Sequence, residues 1–230
     1  MATTNSYPEI SNCDRSALLN VPLLAAMSES ARDSLLSCAT VSSVAPRTNL
    51  VQEGDPVDAI FCVLDGYVRL YRLSREGREA DIRICGAGDT FGECLLFAQD
   101  GYRYNAQATE VVRVARFNGR IVRDLVQQDP RFAALLLSSV SGHLLETIDR
   151  ITNDRLFTAP QKLANYLIDR CPAEGGPASF RLPFQKNLLA GMLGLAPEAL
   201  SRAFSSLRSA GVTVRGRVVQ IGDVEALRNI

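Results

Sequence analysis

Apolar positions near the end of the chain follow the period of a helix. In residues 196–211 they are spaced i, i+3, i+4 and i+7, which predicts a helix that buries this stripe. The stripe consists of Leu200, Ala203, Phe204 and Leu207. The opposite side carries one acid, one arginine and three serines, namely Glu198, Ser201, Arg202, Ser205 and Ser209. This side lacks the long Lys and Glu side chains that usually cover an exposed helix.

The segments around this helix complete a recognisable plan. The pattern over residues 186–192 predicts a short helix, and Gly194 predicts a tight turn after it. Gly211 is placed to end the second helix. Residues 212–221 then alternate around a turn, which predicts a small hairpin. Upstream, Pro160 near the start of a further helix follows a hinge at 153–159, and a loop is expected over 171–180. Helix, turn, helix and hairpin are the plan of a winged helix-turn-helix.

A slim face suits a helix that enters the DNA major groove, which is about 12 Å wide. The candidate DNA-binding residues are Lys186, Pro197, Glu198, Ser201, Arg202 and Ser205. Arg202 can bind guanine O6 and N7 in bidentate fashion, and Glu198 can accept from cytosine N4. Pro197 at the first helical position leaves the amides around it for a phosphate, and Lys186 is placed for the DNA backbone. A serine-rich exposed helix in an ordinary helical domain is the alternative.

Earlier in the chain the period is that of strands. Residues 40–118 alternate short runs of Val, Ile, Leu and Tyr with turn signals at Asp65-Gly66, Glu76-Gly77 and Gly86–Gly88. Turns about every ten residues predict an antiparallel sandwich or barrel. A short helix with a serine cap is expected just before it, within residues 28–40.

Between these regions the pattern becomes helical again from Arg120 to about Asp154, with Pro130 starting a new helix. Its seam repeats every three or four residues through Leu137, Val140, Leu144, Ile148 and Ile151. A helix of about 24 residues would be roughly 36 Å long, more than one small domain needs. We therefore favour a dimer helix over a core helix lying along the sandwich. The side chains expected to pack back on the sandwich are Phe132, Leu135, Leu136 and Leu145.

Composition narrows the class of protein. A chain of 230 residues has room for two domains, and it has no apolar run long enough to predict a membrane span. Residues 1–12 are polar and lack the pattern of a secretory signal, so we expect a cytoplasmic protein. The six cysteines show no CxxC spacing, which predicts free thiols and no iron–sulfur cluster.

Charge is unevenly distributed. Residues 1–154 hold 15 Lys and Arg against 20 Asp and Glu, a net charge of −5. Residues 155–230 hold 10 against 5, a net charge of +5. A basic C-terminal third favours a polyanionic partner for that third.

The ordering of these segments resembles the Crp/Fnr superfamily of bacterial transcription regulators. Three motifs carry the resemblance: EGDPVDAIFCVLDGYVRLY, GAGDTFGE and LAPEALSRAFSSLRSAGV. It implies an α+β fold with a cyclic-nucleotide-binding-like β-roll sensor domain over 1–118. A dimerisation helix region over 119–154 and a winged helix-turn-helix over 155–230 complete it. With one histidine and no nucleotide-binding or hydrolase motif, an enzyme is not expected.

The resemblance also implies partners. Glu198, Ser201 and Arg202 match the Glu-x-x-Ser-Arg pattern of the Fnr-like branch, which implies a homodimer on a palindrome with TTGAT-like half-sites. Double-stranded DNA and RNA polymerase are the expected partners. Family members that bind cyclic AMP carry an Arg-Ser pair, which here falls near Tyr104 and Asn105. Cyclic AMP is therefore not expected, although Arg103 lies one position away.

The remaining likeness is to the Dnr/NnrR group, which regulates denitrification genes in response to nitric oxide and for which haem is the proposed sensor. The only histidine, His143, would then be the axial ligand, with Glu93 and Tyr104 as further effector-site residues. Cys85 and Cys94 are alternative thiolate ligands or redox thiols. A regulator controlled by abundance or cysteine oxidation, and a cyclic-nucleotide-responsive one, stay open as alternatives.

Overall fold

The computed structural model describes residues 10–98, 100–173, 175–182 and 185–230. Residues 1–9, on which most of the secretory-signal expectation rests, lie outside them. The chain divides into two compact units, Met1–Leu145 and Glu146–Ile230. Within the described ranges, no helix is both long enough and apolar enough to cross a membrane.

From residue 10 onwards, three short helices precede the sheets: α1 (Asn12–Leu19), α2 (Pro22–Ala25) and α3 (Glu29–Ser37). The predicted serine cap is present, because the Ser28 hydroxyl accepts a hydrogen bond from the amide of Ala31 at the start of α3. The apolar sides of these helices pack with one face of the roll and with Phe132 and Leu136.

Among the described residues, eight strands form the β-roll as two four-stranded antiparallel sheets, in the orders β1-β8-β3-β6 and β2-β7-β4-β5. The strands are β1 (Ala39–Val44), β2 (Asn49–Val51), β3 (Ala59–Asp65), β4 (Val68–Leu73), β5 (Glu79–Cys85), β6 (Thr90–Phe91), β7 (Asn105–Ala108) and β8 (Val112–Asn118). The predicted turns fall between strands, where Gly66, Gly77 and Gly88 adopt positive φ angles of 78°, 77° and 89°.

Aromatic side chains fill the interior of the roll. The rings of Phe61 and Phe91 stack with centroids 5.0 Å apart, and Tyr102 meets Tyr104 edge-on at 6.0 Å. The Tyr102 hydroxyl donates to the carbonyl oxygen of Ala59 at 2.7 Å, which satisfies its one polar group. These four aromatic side chains belong to the buried apolar cluster of the roll.

Two helices follow the roll, α4 (Gly119–Gln128) and the 27-residue α5 (Pro130–Leu156). Phe132 and Leu136 of α5 are buried and Leu135 packs against the same cluster, as predicted. The prediction for Leu145 is wrong, because its side chain is 62% exposed. On a helical wheel Leu145 lies about 140° from Phe132, away from the side that meets the roll.

The C-terminal unit contains α6 (Ala159–Asp169), β9 (Ala178–Arg181), α7 (Lys186–Met192), α8 (Pro197–Ser206), β10 (Val212–Arg215), β11 (Val218–Ile221) and α9 (Val224–Arg228). Its sheet has the order β10-β11-β9, so the predicted hairpin gains a third strand. The loop expected over 171–180 is therefore wrong for its last three residues, since Ala178 pairs with Ile221 and Phe180 with Val219.

Candidate nucleic-acid interface and effector site

Helix α8 is held in place by its buried stripe. Leu200, Ala203, Phe204 and Leu207 are all buried, as their spacing predicts. Pro197 occupies the first turn, and the chain leaves the helical run through Gly211 in the left-handed conformation at φ 79°. The orientation of α8 is therefore set by packing on one side and leaves the other side open.

The open side of α8 carries the predicted reading residues, all of them exposed: Glu198, Ser201, Arg202, Ser205 and Ser209. The Ser205 hydroxyl donates to the carbonyl oxygen of Ser201 at 3.0 Å, and that of Ser209 donates to Ser206 at 2.9 Å. These hydroxyls fold against the backbone, which keeps the face slim. Glu198 and Arg202, one turn apart, are the long side chains that project from it.

The turn between α7 and α8 is fixed from the last turns of α5. The Arg150 guanidinium donates to the carbonyl oxygen of Gly191 at 3.1 Å, and Lys162 on α6 pairs with Asp154. Gly194 has φ 63°, and a Cβ there would lie 3.2 Å from Oδ1 of Asp154. The end of α5 is thereby tied to the helix-turn-helix by contacts that sequence reasoning did not foresee.

Lys186, the first residue of α7, lies beside α8. Its side chain is half-buried, and Nζ sits 5.4 Å from the ring centroid of Phe204, a cation–π distance. In the described part of the chain, neither Lys186 nor Arg202 forms an ion pair. Both cations are therefore available to an external anion or base.

The effector candidates lie in the N-terminal unit, and two of them touch. Glu93 follows Gly92, which adopts φ 97°, and opens a 3-10 turn over Glu93–Leu95. Its Oε1 accepts from the Thr90 hydroxyl at 2.9 Å and lies 3.0 Å from Nδ1 of His143. The Glu93 side chain is 1% exposed and that of His143 24%. A buried carboxylate of the roll is thus joined to α5.

The environment of Glu93 favours its charged form. Burial alone would raise the pKa of this carboxyl. The hydrogen bonds from His143 and from its own backbone, the electrostatic attraction of His143 and the hydrogen bond from Thr90 outweigh burial, and the pKa is lowered. Its second oxygen, Oε2, is buried and has no hydrogen-bond partner among the described residues. Such an acceptor is costly to leave unsatisfied.

The direction of His143 could have been read from the sequence. His143 lies 11 residues after Phe132, about three helical turns, so both side chains point within about 20° of each other on a wheel. Phe132 is buried against the roll. The histidine therefore faces the roll and not the exposed seam of α5.

Tyr104, which the resemblance places near the arginine of cyclic-AMP-binding regulators, packs inside the roll. Burial, followed by the charges of nearby groups that include Glu93, raises the pKa of its hydroxyl well above the usual range. Asn105 is also buried, and its Oδ1 accepts from the amide of Glu53 at 3.2 Å. Arg103 is exposed and pairs with Asp100. The guanidinium of Arg103, one position before Tyr104, thus lies at the surface.

The side chain of this site that could hold a haem iron is His143. No three His, Cys, Asp or Glu side chains come together as a metal site in the described ranges. A metal-bound histidine usually donates its other N–H to a carboxylate, as Nδ1 of His143 does to Glu93. Cys85 is buried. Desolvation of the Cys94 thiol and the charge of the nearby Glu93 raise the pKa of Cys94, which disfavours a thiolate there.

Taken together, an antiparallel roll, a long helix and a helix-turn-helix with an open reading face define a DNA-binding transcription regulator. Comparison with known proteins agrees: residues 41–129 match the cyclic nucleotide-binding domain and residues 161–230 the Crp-like helix-turn-helix domain. The chain belongs to the Crp/Fnr family, whose members are regulators of transcription and not enzymes.

Individual relatives support this assignment over most of the chain. The nitrogen fixation regulation protein FixK of Rhizobium meliloti is 28% identical, covering 83% of this chain and 86% of FixK. A candidate cyclic nucleotide binding protein of Ruegeria pomeroyi is 32% identical, covering 94% of this chain and 95% of its own, with a TM-score of 0.64. DNR of Pseudomonas aeruginosa is 26% identical over 96% of this chain and 99% of its own, with a TM-score of 0.54. A particular closeness to the Dnr/NnrR group stays a prediction.

Proposed function

We propose that this protein is a homodimeric regulator that recognises a palindrome with TTGAT-like half-sites and recruits or hinders RNA polymerase there. The observation that carries the proposal is the open face of α8, where Glu198, Ser201 and Arg202 are exposed together beside a buried apolar stripe. A regulator acts where the chromosome is, so we expect it in the cytoplasm.

Sequence reading is assigned to two side chains of α8. Arg202 offers a planar fork that matches guanine O6 and N7, and Glu198 offers acceptors for cytosine N4. The small serines between them let the helix backbone approach the base edges. Lys186 and the amides near Pro197 are assigned to phosphates, which fix the register without reading sequence.

Dimerisation is assigned to the exposed seam of α5. Leu137, Leu144, Ile148 and Ile151 are each at least 48% exposed. An apolar stripe along a 27-residue helix is costly in water and is buried if two such helices pair. A two-fold dimer presents two copies of α8, which matches a palindrome with half-sites about one helical turn apart.

For the effector we propose nitric oxide, received by a haem that His143 would hold through Nε2, with denitrification genes as targets. Bound haem would supply an iron that binds nitric oxide. The chain's own part is to orient the imidazole through Nδ1 and Glu93, whose contact distance is 3.0 Å. Because His143 lies on α5, a change in its position bears on the helix that carries the seam. A ligand-free regulator controlled by abundance or cysteine oxidation is the alternative.

Cyclic AMP is not proposed as the effector. A phosphodiester inside the roll needs a cationic partner. The aligned positions hold the buried Tyr104 and Asn105, while Arg103 pairs with Asp100 at the surface. Calorimetry should therefore give no micromolar dissociation constant, and such a constant would revive the cyclic-nucleotide alternative.

The experiment for the DNA proposal compares a TTGAT palindrome with a scrambled duplex of the same base composition. Fluorescence anisotropy with the full chain at fixed salt should give much tighter binding to the palindrome. Equal affinities would reject sequence recognition.

A further inference from the structure

A cleft of about 320 Å³ opens beside α8 in the C-terminal unit, between the start of α7, α8 itself and β10. Its apolar lining comes from Leu200, Phe204 and Val214. Polar and cationic side chains also line it: Lys186, Asn187, Ser201, Ser205 and Arg208. Apolar side chains and hydrogen-bond donors are thus brought together directly beside the reading face.

Phe204 fixes one cation of this cleft. The ring is buried, and Nζ of Lys186 lies 5.4 Å from its centroid. Attraction to the aromatic face restricts the mobility of the ammonium group. The ammonium group is therefore pre-positioned at the cleft.

A second cation, Arg208, lines the same cleft from the helical turn that follows α8. Ser201 and Ser205 also line this cleft, and their short side chains leave its opening clear. Within the residues that the structure describes, neither Lys186 nor Arg208 is in an ion pair. In the N-terminal unit, by contrast, Arg15, Arg72 and Arg116 are each paired with a carboxylate.

Two cations with no ion pair among the described residues, together with an amide on the same cleft, suit an anion with several acceptor oxygens. We propose that this cleft is a phosphate clamp, in which one phosphodiester of the DNA backbone lies between Lys186 and Arg208 and accepts from Asn187. The clamp rests on the proposed DNA-binding function. Arg208 is the new assignment, because its guanidinium can give two parallel hydrogen bonds to a phosphate. By holding the backbone next to α8, the clamp positions Arg202 over its base.

The test measures how binding depends on salt in the full-length protein. Affinities for the palindrome and for the scrambled duplex are measured between 50 and 200 mM KCl, for wild type and Arg208→Gln. The matched control is Arg228→Gln, which removes the same charge from an exposed site on α9 outside the cleft. All three proteins are first compared by circular dichroism.

Arg208→Gln removes one phosphate contact from each protomer of the proposed dimer. The salt slope should therefore fall by about two and binding should weaken roughly a hundredfold on both duplexes, leaving their ratio unchanged. Arg228→Gln should keep the wild-type slope. A slope for Arg208→Gln equal to that of the control overturns the clamp, and so does a change in the ratio alone, which would mean a base contact. If the wild type itself does not prefer the palindrome, the proposed function fails instead, so the two failures are distinguishable.

A second measurement locates the phosphate. Neutral methylphosphonate groups are placed one at a time in the palindrome, and each duplex is titrated with both proteins. At the clamped phosphate, wild type should lose roughly tenfold while Arg208→Gln loses much less, because the contact is already gone. Equal losses in both proteins at every position would overturn the proposal.

Discussion

Nδ1 of His143 on the long helix lies 3.0 Å from Oε1 of Glu93, a buried carboxylate of the roll. The same oxygen accepts from Thr90, so the histidine is tied to the turn that follows β6. This contact joins the region expected to sense a signal to the helix expected to form the dimer. It gives the chain's single histidine a structural role whether or not haem binds.

The Glu93–His143 contact predicts a pH-dependent contribution to stability. The pKa of Glu93 is lowered in the folded protein from an ordinary value of 4.5. Below that value the unfolded chain binds a proton more readily than the folded one, so the free energy of unfolding rises with pH in this range. The contribution is complete above about pH 4.5 and is lost as pH falls through the lowered pKa.

Glu93→Gln measures that contribution. Urea unfolding at pH 7 should show a loss of about 1–3 kcal/mol relative to wild type. The difference should shrink when the measurement is repeated at the lowest pH at which the protein still folds. A difference that stays constant down to that pH would mean that the carboxylate charge is not the stabilising element.

Placing a charge at either of two neighbouring leucines of α5 should affect dimerisation differently. Leu144 is 60% exposed and Leu145 is 62% exposed, but only Leu144 lies on the seam. Leu144→Glu should raise the dimer dissociation constant at least tenfold, since each buried leucine contributes about 1.5–3 kcal/mol. Leu145→Glu is the matched control and should leave it near the wild-type value. Analytical ultracentrifugation gives both constants, and equal effects would argue against this seam.

For the haem proposal, titration of purified protein with haem should produce a shift of the haem Soret band that His143→Ala lacks. Glu93→Gln keeps the imidazole and removes the charge that orients it, so haem affinity should fall about 10- to 100-fold without loss of the shift. DNA binding is then measured with and without haem and nitric oxide in wild type and His143→Ala. Identical DNA affinities in all of these conditions would remove the haem switch and leave the dimer.

Replacing Arg202 should reduce the sequence specificity of DNA binding as well as its affinity. Arg202→Ala should cost about 1–3 kcal/mol at each half-site of the palindrome and relax preference at one base position per half-site. Arg202→Lys keeps the charge but loses the bidentate fork, so it should retain the wild-type salt slope while losing the same preference. Binding to a panel of singly substituted palindromes reads out both effects. Unchanged preference in both variants would remove Arg202 from base recognition.

Much of the DNA-binding unit could be predicted because its signals are local. Helix α8 is predicted by the spacing of its apolar residues, by Pro197 at its start and by Gly211 after its end. Each of these signals comes from residues that are close together in the sequence. Strand β9 is different, because its four residues become a strand only by pairing with β11, about forty positions later. The position of Arg150 against Gly191 is likewise set by distant parts of the chain.

The N-terminal unit shows the same division. The positions of its turn glycines and the burial of Phe132 could be predicted from the spacing of residues in the sequence. The exposure of Leu145 could not, because it depends on which parts of the chain pack against α5. The contact of His143 with Glu93 joins residues fifty positions apart. Spacing alone gives the direction of His143 on its helix but not the carboxylate that it meets.

The most direct test of the central claim is the affinity of the wild-type protein for a TTGAT palindrome against that for a scrambled duplex of equal composition. At physiological salt the palindrome should bind at least about a thousandfold more tightly, as specific regulators do. The salt dependence on the scrambled duplex should remain steep, because the basic C-terminal third still meets phosphates there. Equal affinities for the two duplexes would contradict sequence recognition by Glu198, Ser201 and Arg202.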